Sequence, residues 1–352
     1  MRTPPARRVR DAARRLRLEG HMRHLLRLVL LSCAAWSACV SQTVAQTTQE
    51  PKRVGFVVYG TSAPRNHLLD AFLDGMREQG YVEGKNLVVE RRFAEGSLDR
   101  LIQGAGELSA LKLDAIVTTC SPSTLAVKTA TSGSTTPIVM AVVTDPVGQG
   151  LVASLARPGG NVTGRSSQVE DTLPKMLELF AGVLPKSARI AVLHNTNNPV
   201  HPLLWREAEK AAKSLDMTLV RIDVAGSNDF PAAFDTIARE RLGALLVLPD
   251  DGMTMNNRTQ LVALAAQRRI ATFYGLREFV AQGGLMSYGE NYAADYRSTA
   301  AYVGKVLRGE KPANLPVEQP TRFEFVINSS AAKALGVTIP ASLLVRADEV
   351  LQ

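Results

Sequence analysis

Disulfide chemistry is nearly closed to this chain. It has 3 cysteines in 352 residues, Cys33, Cys39 and Cys120, and only Cys120 lies beyond the first 45. One thiol makes no internal bridge, so a body lacking the first 45 residues relies on its apolar core. A chain of roughly 300 residues can do so, because about 75 % of its unfolded surface is buried on folding. Aromatic residues make up 5 % of the sequence, which disfavours a stacking platform for single-stranded nucleic acid. No Cys/His cluster has metal-ligand spacing, and His194 and His201 are too far apart for two ligands on one helix. The first strand-to-helix turn reads Gly60-Thr61-Ser62-Ala63-Pro64 and lacks the dinucleotide fingerprint. There is no phosphate loop and no G-x-S-x-G elbow. The sequence therefore implies no metal, no cofactor and no assembled catalytic set.

The net charge of +8 is confined to one end. Residues 1–27 hold nine arginines and two acids, so the rest of the chain is close to neutral. The basic footprint of a nucleic-acid binder is missing from the body, which excludes that class. After Arg27 no charge appears until Glu50, and the most apolar part runs from Leu25 to Trp36. A basic stretch, a short apolar core and a small-residue segment predict a secretory signal peptide over 1–45, cleaved after Thr43-Val44-Ala45. The apolar core is too short for a membrane span, which needs about 20 apolar residues. A start at Met22 would give a more ordinary signal than one at Met1. The expected location is periplasmic, with lipid anchoring at Cys33 or Cys39 as the alternative.

Strand-like and helix-like segments alternate along the remainder. Apolar β-rich runs occur at Val54–Tyr59, Asn86–Arg92, Asp114–Thr118, Pro137–Val143, Arg189–His194, Leu219–Val224, Ala244–Leu248, Ile270–Phe273 and Leu285–Tyr288. Amphipathic segments such as Leu68–Met76 and Leu203–Leu215 lie between them. This is the pattern of parallel sheets covered on both faces. The units fall into two groups separated by the glycine-bearing Arg157–Ser167, expected as a crossover, so the predicted fold class is α/β with two Rossmann-like lobes. Arg322–Asn328 adds a strand after a proline-rich linker.

In open α/β sheets, ligands sit outside the carboxyl ends of the strands. That rule selects Tyr59 and Thr61 after the first strand, Ser121 and Ser123 at Thr119–Thr124, and Asp145 after Ile138–Val143. It also selects Asn195, Asp250, Tyr274 and Tyr288. These loops carry hydroxyls, amides, acids and tyrosines, with Arg65 as the nearest cation, so a zwitterion or neutral polar molecule suits them better than a polyanion. Ser121 and Ser123 could help a helix N-terminus receive a carboxylate; the alternative is an N-cap with Pro122 at the first helical position. Asp145 could accept a ligand ammonium or cap the turn before Pro146. Asp250 and Asp251 could bind a cation or cap a helix. The tyrosines could stack on an aromatic ligand or be half-buried packing.

Several segments together resemble one family. Asp145–Gly164 (DPVGQGLVASLARPGGNVTG) is similar to the signature stretch of bacterial ABC-transporter substrate-binding proteins whose better-known members bind tryptophan or other aromatic amino acids. Phe72–Glu83, Thr136–Val139, Leu307–Pro312 and Val326–Pro340 resemble other stretches of that family, so the likeness spans residues 52–352. It implies a type I periplasmic-binding fold whose two lobes are joined by a three-segment hinge near Thr163–Ser167, Tyr288–Asn291 and Pro320–Arg322. The implied parts are 46–163 and 289–320 for the first lobe, and 164–288 and 321–352 for the second. The implied role is a monomeric solute-binding component of an ABC importer. It would bind a small organic solute, an aromatic amino acid among the candidates, between the lobes. The permease and ATPase would be separate chains. Two rivals stand beside it: an exported α/β enzyme using Cys120 or Asp250, and a periplasmic ligand sensor.

Overall fold

The computed structural model describes residues 50–60, 67–249 and 251–352. The expected signal peptide, Thr61 and Asp250 lie outside them. Strand–helix alternation builds two lobes. The first contains β1 (Lys52–Val58), β2 (Leu87–Phe93), β3 (Ala115–Thr118), β4 (Ile138–Thr144) and β5 (Val162–Ser167), all parallel, in the order β2-β1-β3-β4-β5. Its connecting helices are α1 (His67–Glu78), α2 (Leu98–Ser109) and α3 (Ser121–Ala130). Every residue of β3 and β4 is buried, as expected of strands covered on both faces.

The second lobe contains β6 (Arg189–Asn195), β7 (Thr218–Val224), β8 (Ala244–Val247), β9 (Ala271–Tyr274), β10 (Met286–Glu290), β11 (Phe323–Asn328) and β12 (Glu349–Leu351). Their order is β12-β11-β10-β9-β8-β6-β7, and only the β10–β11 pair is antiparallel. The remaining helices are α4 (Val169–Ala181), α5 (His201–Ser214), α6 (Phe230–Arg239), α7 (Gly252–Asn256), α8 (Arg258–Gln267), α9 (Arg277–Ala281), α10 (Tyr292–Leu307), α11 (Ser329–Leu335) and α12 (Ala341–Leu344). Side chains on β6 alternate: Ile190 and Val192 enter one apolar cluster, Ala191 and Leu193 the other. The second of these clusters continues into the core of the first lobe.

The chain passes between lobes three times. It leaves the first lobe after β5, and α10 returns to pack against α1 and β4. Glu318 still donates its N–H to Gly164 O (3.1 Å) before the chain enters β11. These passages are tied together. Ser167 Oγ and Gln168 N each donate to Glu290 Oε1 at 2.8 Å, and Arg165 pairs with Asp295 (2.9 Å) and Glu318 (3.0 Å). One expectation needs correcting. The segment Arg157–Ser167 is more than a crossover, because Val162–Ser167 is a strand held on β4 by a ladder that shifts register between Met140 and Val143.

Candidate functional site: a cleft between the lobes

Within the first sheet the strand order reverses between β1 and β3; within the second it reverses between β6 and β8. Such switch points leave a crevice at the carboxyl ends of the strands. The two crevices face each other across a cleft of about 110 Å³. The first lobe lines it with Phe56, Val58, Tyr59, Leu68, Thr119 and Cys120, together with Tyr292 and Tyr296 of α10. The second contributes Asp251, Met255, Asn256, Arg258 and Leu276.

The first wall is mostly apolar. Phe56 packs against Phe72 (ring centroids 5.1 Å) and Tyr296 (6.5 Å). Tyr296 donates its O–H to Thr119 O at 3.2 Å, and Thr119 Oγ1 donates to Val57 O at 3.2 Å. Tyr59 is 5 % exposed, and burial first, then the charge of Asp251, pushes its phenol up to about 12. It therefore stays protonated at neutral pH.

The opposite wall is polar. Asp251 is the N-cap of α7 and is 6 % exposed. Its Oδ1 accepts from Asn195 Nδ2 (3.0 Å) and from Met253 N (3.2 Å). Its Oδ2 has no hydrogen-bond partner among the described residues. Burial raises this carboxyl to about 6, although the hydrogen bonds from Asn195 and Met253 favour its ionised form. Arg258 donates from Nη1 to Met255 O at 2.9 Å, while its buried Nε and the buried Nδ2 of Asn256 have no partner among the described residues. The wall thus carries both an acceptor with negative charge and a cation.

The walls meet closely. A Cβ on Gly252 would lie 2.7 Å from Tyr59 Cδ1, and one on Gly60 would lie 2.5 Å from Asn256 Oδ1. At the cleft, His67 Nε2 of the first lobe lies 3.1 Å from Glu278 Oε1 of the second. Among the described residues no group of His, Cys, Asp and Glu could hold a metal ion, and no helix is long and apolar enough to cross a membrane.

The residues expected from strand ends are scattered. Tyr59 lines the cleft. Asn195 stands one step behind it, holding Asp251. Ser121 is fully buried and accepts from Thr144 N (3.3 Å) and Gln149 Nε2 (3.2 Å). Ser123 accepts from Thr119 N and Cys120 N, both at 3.0 Å, at the start of α3. Asp145 has φ 43° and accepts from Gly148 N at 2.8 Å, the turn-capping arrangement. Tyr274 is 0 % exposed and stacked on Phe279 at 4.5 Å. Tyr288 is half-buried and stacked on Phe323 at 5.9 Å. None of these last five lines the cleft.

Strand-end reasoning missed Arg258, Asn256, Phe56 and the two α10 tyrosines. Tyr292 and Tyr296 are four apart, one face of a helix, and that spacing was the available signal. For Asp251 the signal was Asp-Gly-Met opening a helix.

A family model described as ABC transporter substrate binding protein matches residues 57–351. A tyrosine-binding protein of Clostridioides difficile (strain R20291) is 27 % identical over 75 % of this chain and 75 % of its own length. The crystal structure of a conserved domain protein from Vibrio cholerae is 30 % identical and covers 86 % of this chain and 100 % of that one, with a TM-score of 0.78. An ABC domain from Streptococcus pneumonia in complex with L-Trp is 25 % identical and covers 85 % and 100 %, with a TM-score of 0.76.

Proposed function

We propose a solute for a chain that belongs to the ABC transporter substrate-binding protein family: an amino acid with an aromatic side chain, bound whole between the lobes. One observation carries this reading. The cleft is lined by Asp251, whose buried Oδ2 has no partner among the described residues, by the Arg258 guanidinium and, from the other lobe, by Phe56, Tyr59, Tyr292 and Tyr296. An ammonium suits the first, a carboxylate the second and a ring the third. The tyrosine-binding relative and the L-Trp complex support the same class.

Binding then holds the lobes closed, and the closed form is what a separate permease engages. The protein acts as a monomer in the periplasm, delivered there by its N-terminal segment, and makes or breaks no bond. Calorimetry with L-tyrosine and L-tryptophan tests the solute. Tyramine, which lacks the carboxylate, and 3-(4-hydroxyphenyl)propionate, which lacks the ammonium, serve as controls. The amino acids should bind, and each control should bind about 10- to 150-fold more weakly, since a charged hydrogen bond contributes roughly 1.5–3 kcal/mol. Failure of both amino acids, or equal binding of the propionate, overturns the reading.

A further inference from the structure

We propose that Asn195 is a positioning residue: its amide holds one oxygen of Asp251 so that the other stays available as the acceptor for the solute's ammonium. This rests on the amino-acid reading above. Asn195 is buried at the end of β6, and Asp251 follows β8, the neighbouring strand. The Nδ2–Oδ1 bond of 3.0 Å is therefore a tie between two strand ends.

Asn195 is itself held on three sides. Its backbone N–H donates to His201 Nδ1 at 2.8 Å, and its Oδ1 accepts from Asn197 N at 3.0 Å. With the oxygen so engaged, the amide orientation is decided, and the N–H₂ must face Asp251. His201 is fully buried, and burial with His194 alongside pushes it down to about 3, so its imidazole is neutral and Nδ1 stays an acceptor. A carboxylate with one oxygen accepting two hydrogen bonds, from Asn195 and Met253, keeps one rotamer and one oxygen for a ligand. Among the described residues, the titratable and charged groups that share the cleft with Asp251 or back it are the Tyr59 phenol, the Cys120 thiol, Arg258, His67, Glu278 on the far side of His67, and the His201–His194 pair behind Asn195.

The test separates positioning from packing. The dissociation constant of L-tyrosine is measured from pH 4.5 to 8 for the wild type, Asn195→Ala and Asn195→Asp. Wild-type affinity should be flat at high pH and weaken about tenfold per unit below a midpoint near 6, where Asp251 takes up a proton. Asn195→Ala removes the donor to Asp251 and adds no charge, whereas Asn195→Asp keeps the shape and the acceptor for Asn197 N–H but sets a second carboxyl against Asp251. Asn195→Ala should move the midpoint upward, because the ionised carboxyl loses a donor, and Asn195→Asp should move it further through its added charge. A residue that merely packs would show, in Asn195→Ala, a uniform loss of affinity with an unmoved midpoint, and that result overturns the proposal. Titration of the Asp251 carboxyl carbon resonance in the unliganded protein reads the same midpoint without a solute. Should the wild type bind neither amino acid, the solute reading fails, and this titration alone decides the role of Asn195: an unmoved midpoint in Asn195→Ala overturns it.

Discussion

The two walls of the cleft are built differently. The first-lobe wall is backed by the largest apolar cluster, through Phe56, Tyr59 and Tyr296, and the Tyr296 and Thr119 hydroxyls donate within the lobe. The second-lobe wall rises from the five-residue α7 and the first turn of α8, and it carries Asp251, Asn256 and Arg258 with atoms left over. One wall offers shape and the other offers charge. A preformed apolar face costs nothing to keep in the absence of a solute. A buried carboxylate does cost stability, because burial disfavours its charged form. The difference locates the stability–function conflict in the second lobe.

The sharpest way to break this contrast is Asp251→Asn. Burial raises the Asp251 carboxyl to about 6, so the folded protein binds a proton there more readily than the unfolded chain. Its ionised form is destabilising above about pH 6, and that cost fades as pH falls through 6 toward the ordinary carboxylate range. At pH 7 the Asn variant should melt higher than the wild type, by up to about 3 kcal/mol in stability. The gap should close near pH 4. Affinity for L-tyrosine should fall by about 100-fold or more, since the ammonium loses its charged partner. Calorimetric melting at the two pH values and a binding isotherm check both halves. A variant that is less stable at both pH values would place Asp251 among ordinary structural caps.

Gly252→Ala probes the contact between the walls. Its Cβ would lie 2.7 Å from Tyr59 Cδ1 and 3.2 Å from Tyr59 Cβ, atoms of the opposite lobe. Overpacking of that kind costs roughly 1–3 kcal/mol, here in the closed form only. Affinity should drop about 5- to 100-fold while the melting point of the unliganded protein holds. Small-angle scattering should show a more open solution form. Unchanged affinity would mean that the lobes need not approach this closely.

Much of the fold was legible in the sequence. Runs such as IVMAVVT in β4 are apolar throughout, and only a strand covered on both faces buries every residue of such a run. Strand β5 was not legible, because VTGRSS has little β preference and is ordered by its neighbour. The candidate site was half legible. The strand-end rule reached Tyr59 and Asn195, and it reached the acid pair after β8, where Asp250 was favoured over Asp251. It did not reach Arg258 or the α10 tyrosines, because these come from helices whose facing is set by tertiary packing. Nothing local marks them except the Tyr292–Tyr296 spacing.

A smaller effect is expected at the contact between His67 and Glu278, 3.1 Å apart with the imidazole side chain 46 % exposed. An exposed pair of this kind is worth about 0–1 kcal/mol. His67→Ala or Glu278→Gln should speed dissociation of L-tyrosine up to about fivefold by stopped-flow fluorescence, with the association rate unchanged. The double variant should be no faster than either single one. Additive effects would show that the two residues act separately and that the contact does not bridge the walls.

The smallest effect on binding is expected at Asp145, and there the two readings of the sequence divide most cleanly. An acid at the end of β4 is placed where a ligand ammonium could be met. Yet Asp145 turns back to accept from Gly148 N, in the left-handed region at φ 43°. A short polar side chain tolerates that region better than alanine does. Asp145→Ala should therefore lower stability by about 1–2 kcal/mol, seen as a melting point lower by a few degrees. Its dissociation constant for L-tyrosine should stay within twofold of the wild type. A tenfold loss of affinity at unchanged stability would restore Asp145 to the cleft, and would mean that the charged wall is shared between the lobes.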